Sequence, residues 1–435
     1  MAGAARGIIT PPKGTYLVGY AERRRGCAGV HDDLYATALA LSDGDRTLAL
    51  VSCDLLCIHE DVVDRVRAAA GPEVEVVICC SHTHAGPITY AGPRAPRARR
   101  EYVDLLSARI VDAINFAESD LAPARMFWSE GSAGIGVNRR ERTADGRVVL
   151  GWNRGGPADK SVGILRVMRA EGSPVATFVN YACHGTILPP QNLLVSADWV
   201  GAMRARVERE IGGKVLFLQG AAGDINPDYE WGEGDPWEAV DRLGNAVAQG
   251  VLDAMAKESD DLAPGPLVIS RREVLLPFET LSALQPAAYS LQPPTTYRRK
   301  VLQFAGVPTF FSFLTDRLLD RLHPWRPRLE FRNGTWCVPM RVNAIRIGDV
   351  SLVTFGAEVF TEIGKNIKAA CPSPFTMFAS VADGCIGYLP TAAAHDEGGY
   401  EVDDGPYLYR YPGRLARECE RIAVETAKAA IHNLF

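Results

Sequence analysis

Apolar runs and amphipathic stretches alternate along the first 260 residues of this chain. Short apolar runs bounded by turn residues are typical of buried strands, and apolar positions three to four residues apart are typical of helices. The pattern predicts strands over 34–42, 46–56, 73–81, 161–170, 174–183 and 214–220, and helices over 60–71, 101–119 and 197–213. Continuous apolar strands between helices predict an α/β fold, with mixed sheets flanked by helices in a single large domain, residues 1–435.

The alternation stops between residues 275 and 332, where proline, leucine and aromatic residues dominate. Two interpretations stay open: a helical, proline-rich insertion that packs on the main body, or part of a lid or pocket wall. We predict that residues 275–332 form part of the substrate pocket or lid. Four aromatic residues of the segment would line an acyl or aryl pocket, or simply pack: Phe310, Phe311, Phe313 and Trp325.

Regular patterns return after this segment. Residues 338–358 predict a β-hairpin that turns at 347–350, followed by a helix over 358–370 and a strand over 375–384. A final amphipathic helix is expected from about Arg414.

Composition excludes several classes of protein. With 47% hydrophobic and 23% charged residues, the chain is typical of a soluble globular protein, and a net charge of −5 with scattered basic residues argues against a nucleic-acid partner.

No stretch approaches the roughly 20 apolar residues of a membrane span, and no signal pattern is visible, so we expect a cytoplasmic protein without membrane insertion. The ten cysteines form no CxxC pair, which predicts reduced, buried side chains. The oligomeric state stays open.

The stretch VVICCSHTHAGP, residues 76–87, carries two histidines directly after an apolar strand. In a strand, residues i and i+2 face the same side, so His82 and His84 can point into one site. Taken alone, the pair is compatible with metal ligands or with polar residues at a strand end.

Three further polar residues follow other predicted strands. His184 comes after the strand 174–183, Glu358 stands at a strand-to-helix turn, and Tyr388 follows the strand 375–384. Because sites in α/β proteins collect at the carboxyl ends of strands, these side chains are expected to meet. Imidazole and carboxylate groups suit Zn²⁺, which can leave one position for water.

The ordered set of motifs resembles a known family. SHTHAGP, CHGT, GDINP, GAE before a helix, and GYLPT with a tyrosine twelve residues after its own resemble the catalytic domain of the neutral ceramidases, a family of zinc amidohydrolases. The resemblance extends over most of the chain. It implies that Zn²⁺ is held by His82, His184, Glu358 and Tyr388. It also implies that His84 and Tyr400 polarise the substrate carbonyl and stabilise the oxyanion, with Arg139 supporting a substrate group.

One position departs from the family pattern. Asn226, in GDINP, stands where these enzymes carry a serine, and an amide cannot act as a hydroxyl nucleophile. Attack by zinc-activated water is therefore expected, with Asn226 placing a substrate carbonyl. Asp224 and Asp198 are candidates for partners of the metal-bound histidines, or for a turn and a helix N-cap.

The expected function is a zinc-dependent hydrolase that cleaves the N-acyl bond of a small-molecule amide. Ceramide itself is not the expected substrate, because the chain shows neither a signal peptide nor the additional C-terminal β domain that ceramidases carry. Two alternatives stay open. One is a metal-dependent esterase, lactonase or acyl transferase, since all of these pass through a tetrahedral oxyanion. The other is a non-catalytic metal- or ligand-binding protein on the same scaffold.

Overall fold

The computed structural model describes residues 1–92, 95–257, 259–279, 328–409 and 411–435. Helices and strands alternate there, so the predicted α/β class with mixed sheets and flanking helices is confirmed. The helices are α1 (Glu60–Ala70), α2 (Arg97–Ser119), α3 (Trp199–Ile211), α4 (Pro236–Met255), α5 (Thr361–Ala370), α6 (Ala394–Glu397), α7 (Gly405–Leu408) and α8 (Cys419–His432), with a π-helical turn at Tyr400–Asp404. The strands are β1 (Ala2–Ile8), β2 (Gly29–Val30), β3 (Tyr35–Ser42), β4 (Thr47–Cys53), β5 (Val74–Cys80), β6 (Ala124–Ser132), β7 (Gly136–Arg142), β8 (Val148–Asn153), β9 (Ser161–Arg169), β10 (Pro174–Tyr181), β11 (Leu194–Val195), β12 (Lys214–Gln219), β13 (Ile225–Pro227), β14 (Asp260–Asp261), β15 (Leu267–Pro277), β16 (Glu330–Arg332), β17 (Thr335–Ile347), β18 (Val350–Phe355), β19 (Glu358–Val359), β20 (Phe375–Ala379) and β21 (Tyr388–Leu389).

The first large sheet has four strands in the order β1–β3–β4–β5. Its last two strands are parallel, and α1 makes the crossover between them. The N-cap residue His59 accepts a hydrogen bond from the N–H of Asp61, and the C-cap residue Gly71 follows the helix with a φ of 89°, which suits glycine. Side chains of α1 and α2 bury one face of the sheet, and the apolar cluster shared with the other large sheets buries the opposite face of β3, β4 and β5. Burial on both faces explains why these strands are mostly apolar.

Two five-stranded sheets repeat the parallel pairing. In β12–β10–β9–β6–β14, the neighbours β10 and β12 are parallel, and α3 lies between them in sequence. In β15–β17–β18–β20, with β16 beside β17, the neighbours β18 and β20 are parallel, and α5 lies between them in sequence. β17 and β18 form the predicted hairpin, with Ile347 opposite Val350. Smaller sheets complete the architecture: β13–β7–β8, β11–β2 and β19–β21.

The three large sheets share one buried apolar cluster. Asn180 of β10 ties two of them together, because its amide donates to the carbonyls of Leu218 and Phe378, each at 2.9 Å. The residues that follow β5, β10 and β18 are therefore brought to one place. The shared cluster includes these side chains, each at most 2% exposed: Leu50, Val77, Phe178, Leu218, Leu352 and Met377.

Some expected boundaries shift. The segment 275–332 begins inside β15, which ends at Pro277, and it includes the whole of β16. Residues 280–327, with the four aromatic residues named above, lie outside the described residues, so the pocket or lid role stays a prediction, as does the single domain over 1–435. The expected start of the last helix at about Arg414 is wrong: α8 begins at Cys419, because Leu415 pairs with Phe278 in an extended β-bridge.

The described residues bear on the expected absence of a membrane span and on the state of the cysteines. Among them, no helix has both the length and the apolar character needed to cross a membrane. The ten cysteines are free, and all except the partly exposed Cys57 are buried, as predicted.

Candidate metal centre

His82 lies in a loop, two residues beyond the end of its strand. β5 stops at Cys80, and His82 has a left-handed φ of 64° while its N–H donates to the carbonyl of Leu55 at 2.9 Å. The strand alternation expected for His82 and His84 is therefore wrong. The loop backbone turns both rings to one side, with centroids 5.1 Å apart. Positive φ is uncommon outside glycine and persists only where surrounding contacts hold it.

Backbone carbonyls hold the outer nitrogens of two histidines. His82 Nδ1 lies 2.7 Å from the carbonyl of Leu56, and His184 Nδ1 lies 2.8 Å from that of Ala222 and 3.0 Å from that of Ile225. A carbonyl only accepts hydrogen bonds, so each Nδ1 carries a proton and donates it. In a neutral ring, the inward-facing Nε2 is then left with a lone pair, the form in which histidine binds a metal.

Glu358 meets both of these Nε2 atoms. Its Oε2 lies 3.1 Å from His82 Nε2 and 3.2 Å from His184 Nε2, and the residue is 4% exposed. Three electron-rich atoms at these distances repel one another unless a proton or a metal ion lies between them. The donor set at this point therefore fits a metal ion.

Tyrosines surround the carboxylate. The parallel pairing of β19 with β21 sets Tyr388 opposite Glu358, and the ring of Tyr400 lies 5.6 Å from that of Tyr388. The guanidinium of Arg139 lies 5.2 Å from the first ring and 5.9 Å from the second. Tyr409 donates a hydrogen bond of 2.6 Å to Glu358 Oε1. Sequence reasoning missed Tyr409, which lies in a stretch without a recognised motif.

His84 has two buried ring nitrogens without a hydrogen-bond partner in the described part of the chain. Its ring lies 4.9 Å from that of Tyr20 and 5.7 Å from that of His184. The possible ligand atoms of His82, His84 and His184 all lie within 4.8 Å of one another. Because buried polar atoms are nearly always bonded, His84 is available for a substrate group or for a metal ion.

A buried charge network holds Arg139. Glu401 accepts from Arg139 Nε at 2.8 Å and from Arg140 Nη1 at 2.7 Å. Arg139 Nη1 donates to Asn226 Oδ1 at 3.2 Å and lies 3.4 Å from His184 Nε2. Glu401 and Arg140 were also missed from the sequence, although each is the direct neighbour of a predicted site residue. The network fixes the position of the guanidinium beside the histidines.

The electrostatic surroundings favour the metal-binding protonation states of His84, His184 and Glu358. Burial and the charge of Arg139 lower the pKa of His184 to about 4. Burial and the neighbouring imidazoles lower the pKa of His84 well below its usual value. Burial would raise the pKa of Glu358, but the neighbouring His82 and His184 hold it well below its usual range. Neutral imidazole and ionised carboxylate are the forms that coordinate metal ions.

Neither aspartate contacts the histidines, so their expected role as histidine partners is wrong. Asp224 accepts hydrogen bonds from the N–H and hydroxyl of Thr361 and from the amide of Asn138. Asp198 caps α3, the alternative considered for it, with its carboxylate accepting from the N–H of Trp199. Backbone carbonyls take the place of carboxylates because the loops after β4 and β12 pass directly behind the two imidazoles.

Comparison with known proteins identifies the family. A family model described as neutral/alkaline non-lysosomal ceramidase, N-terminal, matches residues 1–232, more than half of the chain. The chain belongs to this family. The resemblance found in the motifs is therefore confirmed. Five predicted site residues lie within the matched range, and three lie beyond it: Glu358, Tyr388 and Tyr400.

Two curated relatives illustrate the similarity. The neutral ceramidase of Mycobacterium tuberculosis is 28% identical over 254 residues, which cover 49% of this chain and 38% of that protein. Neutral ceramidase B of Dictyostelium discoideum is 24% identical over 323 residues, which cover 67% of this chain and 44% of that protein. The ceramidase-family chain thus spans less than half the length of these relatives.

The fold agrees with a solved structure of a ceramidase. The crystal structure of neutral ceramidase from Pseudomonas aeruginosa matches with a TM-score of 0.74 at 18% identity, covering 100% of this chain and 74% of that one. At this identity, the likeness shows the ceramidase fold alone.

Proposed function

We propose that this chain is a zinc-dependent amidohydrolase that cleaves the N-acyl bond of a small-molecule substrate with a water nucleophile. The observation that carries the proposal is the approach of two imidazole nitrogens to one carboxylate oxygen: His82 Nε2 and His184 Nε2 lie 3.1 and 3.2 Å from Glu358 Oε2. The family name supports the reaction class, because ceramidases are named for hydrolysis of an amide. Zn²⁺, when bound, would lower the pKa of a coordinated water to about 7 and polarise a carbonyl.

The proposed ligands are those implied by the family motifs. Nδ1–H donation to backbone carbonyls fixes both imidazoles for ligation, and the β19–β21 pairing supports a role for the tyrosine beside the carboxylate. Our alternative ligand set replaces the tyrosine with His84, since three imidazoles also cluster there. The proposed set is His82, His184, Glu358 and Tyr388.

The remaining site residues would bind and orient the substrate. His84 has free ring nitrogens to hydrogen-bond a substrate oxygen, and Tyr400 would donate to the oxyanion that develops at the carbonyl. Asn226 Oδ1 already accepts from Arg139, so its NH₂ group is the part left to hold a substrate carbonyl. Without a hydroxyl at this position, the proposed nucleophile is water.

The decisive experiment combines metal analysis with a substrate panel. We would measure bound zinc in the purified protein, then assay N-acyl amides from short chains to ceramide before and after chelation. The proposal requires about one zinc per chain and an activity that chelation removes and zinc restores. Zinc without turnover of any amide would favour a binding protein, and turnover of esters or lactones alone would favour the esterase alternative. Absence of zinc binding would refute the proposal.

The variant His184→Ala links the metal to the site, and His432→Ala is its matched control, because His432 is an exposed residue at the end of α8. The first should lose zinc and activity, and the second should retain both. The choice of a small amide rather than ceramide, and a cytoplasmic location, stay proposals that the panel and cell fractionation test.

A further inference from the structure

Tyr409 holds one oxygen of the proposed metal-binding carboxylate. Its hydroxyl donates to Glu358 Oε1 at 2.6 Å, whereas Oε2 faces His82 and His184 at 3.1 and 3.2 Å. The two carboxylate oxygens therefore have different partners. A hydrogen bond of this length to an ionised acceptor is among the stronger hydrogen bonds in proteins.

The backbone around Glu358 is built to admit the Tyr409 ring. Gly387, with φ of 81°, lies against the ring: a Cβ added there would lie 2.5 Å from Tyr409 Cε2. The carbonyl of the same glycine accepts the N–H of Glu358 at 2.7 Å. A residue with a side chain at this position would therefore displace the ring or the backbone that carries the carboxylate.

A second tyrosine anchors the same turn without contacting the carboxylate. The Tyr411 ring stacks on that of Tyr409, with centroids 6.0 Å apart and an interplanar angle of 20°. Its hydroxyl donates to the carbonyl of Ile386 at 2.8 Å. The two hydroxyls thus have different partners: that of Tyr409 binds the carboxylate, and that of Tyr411 binds the backbone of the adjacent loop.

We propose that Tyr409 is a positioning residue that holds Glu358 Oε1 so that only Oε2 is presented to the metal ion. The inference rests on the proposed metal centre and deepens it. Outer hydrogen-bond partners of metal ligands commonly set ligand orientation, and their removal typically weakens metal affinity by about 10–100-fold. Without the hydroxyl, Oε1 is free to turn toward the metal or toward solvent.

The test compares Tyr409→Phe with Tyr411→Phe, since each variant removes one hydroxyl from stacked neighbours. Zn²⁺ affinity would be measured by competition with a chelating indicator, and the ligand arrangement by the visible absorption of bound Co²⁺. Tyr409→Phe should bind Zn²⁺ about 10–100-fold more weakly and change the Co²⁺ spectrum. Tyr411→Phe should match the wild type in both measurements, because its hydroxyl does not contact a proposed ligand.

The outcomes separate this inference from the proposed function. Two results would overturn the positioning role alone, provided that the wild type binds Zn²⁺. In one, Tyr409→Phe keeps the wild-type Zn²⁺ affinity and Co²⁺ spectrum. In the other, both variants lose the same amount of Zn²⁺ affinity. Absence of Zn²⁺ binding in the wild type would overturn the metal centre and the positioning role together. If metal-free Tyr409→Phe does not fold, the Co²⁺ spectrum of the metal-loaded variant decides the outcome, because a ligand that binds only the folded state stabilises it. A spectrum identical to that of Tyr411→Phe would then overturn the positioning role.

Discussion

Asn226 Oδ1 accepts a hydrogen bond of 3.2 Å from Arg139 Nη1. The amide and the guanidinium therefore act as one unit beside His184, and the NH₂ group of the amide is directed away from this bond. Serine, the residue expected here in the family, is too short to make the same contact without movement of the arginine.

We predict that Asn226→Ser lowers kcat/KM on the best amide substrate by about 10–100-fold, because it removes one hydrogen bond to a charged group and one donor to the substrate. Bound zinc should be unchanged. Steady-state kinetics with parallel metal analysis measure both, and Asn433→Ser at the end of α8 serves as the control. A large gain on ceramide-like substrates would contradict this prediction and indicate that a serine here favours lipid amides.

Alanine variants of the two neighbouring histidines distinguish the two ligand sets. His82→Ala should lose the metal, because its Nε2 faces Glu358 Oε2 at 3.1 Å. His84→Ala should retain the metal and lose at least about 10-fold in kcat, because it removes only a substrate contact. Zinc content and activity of both purified variants provide the comparison. Loss of zinc in both variants would instead support three imidazole ligands.

Glu401→Gln should destabilise the protein by about 3–5 kcal/mol, because it removes the negative charge from two buried arginines. The Glu401 side chain is 1% exposed, and those of Arg139 and Arg140 are 5% and 7% exposed. Urea unfolding measures the change. The control is Glu397→Gln, which alters a 39% exposed partner of Arg140 and should cost at most about 1 kcal/mol. Equal losses of unfolding free energy in the two variants would contradict this prediction, because they would show that burial of Glu401 adds nothing to the stability.

The buried carboxyl group of Asp224 should make the free energy of unfolding depend on pH. Burial raises its pKa to about 6, despite hydrogen bonds from Thr361, against about 3.9 in an unfolded chain. The folded state therefore binds the proton more tightly, and this group lowers the stability as pH rises from about 4 to 6, by roughly 3 kcal/mol in total.

The variant Asp224→Asn removes that titration while every other group is kept. The free energy of unfolding of the wild type minus that of the variant should fall by roughly 3 kcal/mol between pH 4 and 7. Urea unfolding at several pH values gives the difference. Asp104→Asn, at a side chain that is 69% exposed, controls for the loss of a surface charge. A difference that does not change with pH for Asp224→Asn would contradict the prediction.

Much of the fold was predictable because its signals are local. The apolar runs of β3, β4, β5, β10 and β12 and the amphipathic period of α2 and α3 lie within single elements. The strands β6 to β8 and the helix α4 escaped detection, although Asp235 and Pro236 at the start of α4 are an N-cap signal. Half-exposed strands such as β6 and β8 carry a weaker apolar pattern than buried ones.

By itself, the sequence determined the α/β class, the family, and the eight candidate residues that gather at one site, because strand ends and ordered motifs are patterns of neighbouring residues. Only the tertiary structure decided which atoms meet. His82 and Glu358 are 276 residues apart, and their contact depends on how the sheets pack. The carbonyls behind the imidazoles, the buried Glu401 and the hydroxyl of Tyr409 likewise come from distant loops, and no local periodicity encodes a hydrogen bond between segments that only packing brings together.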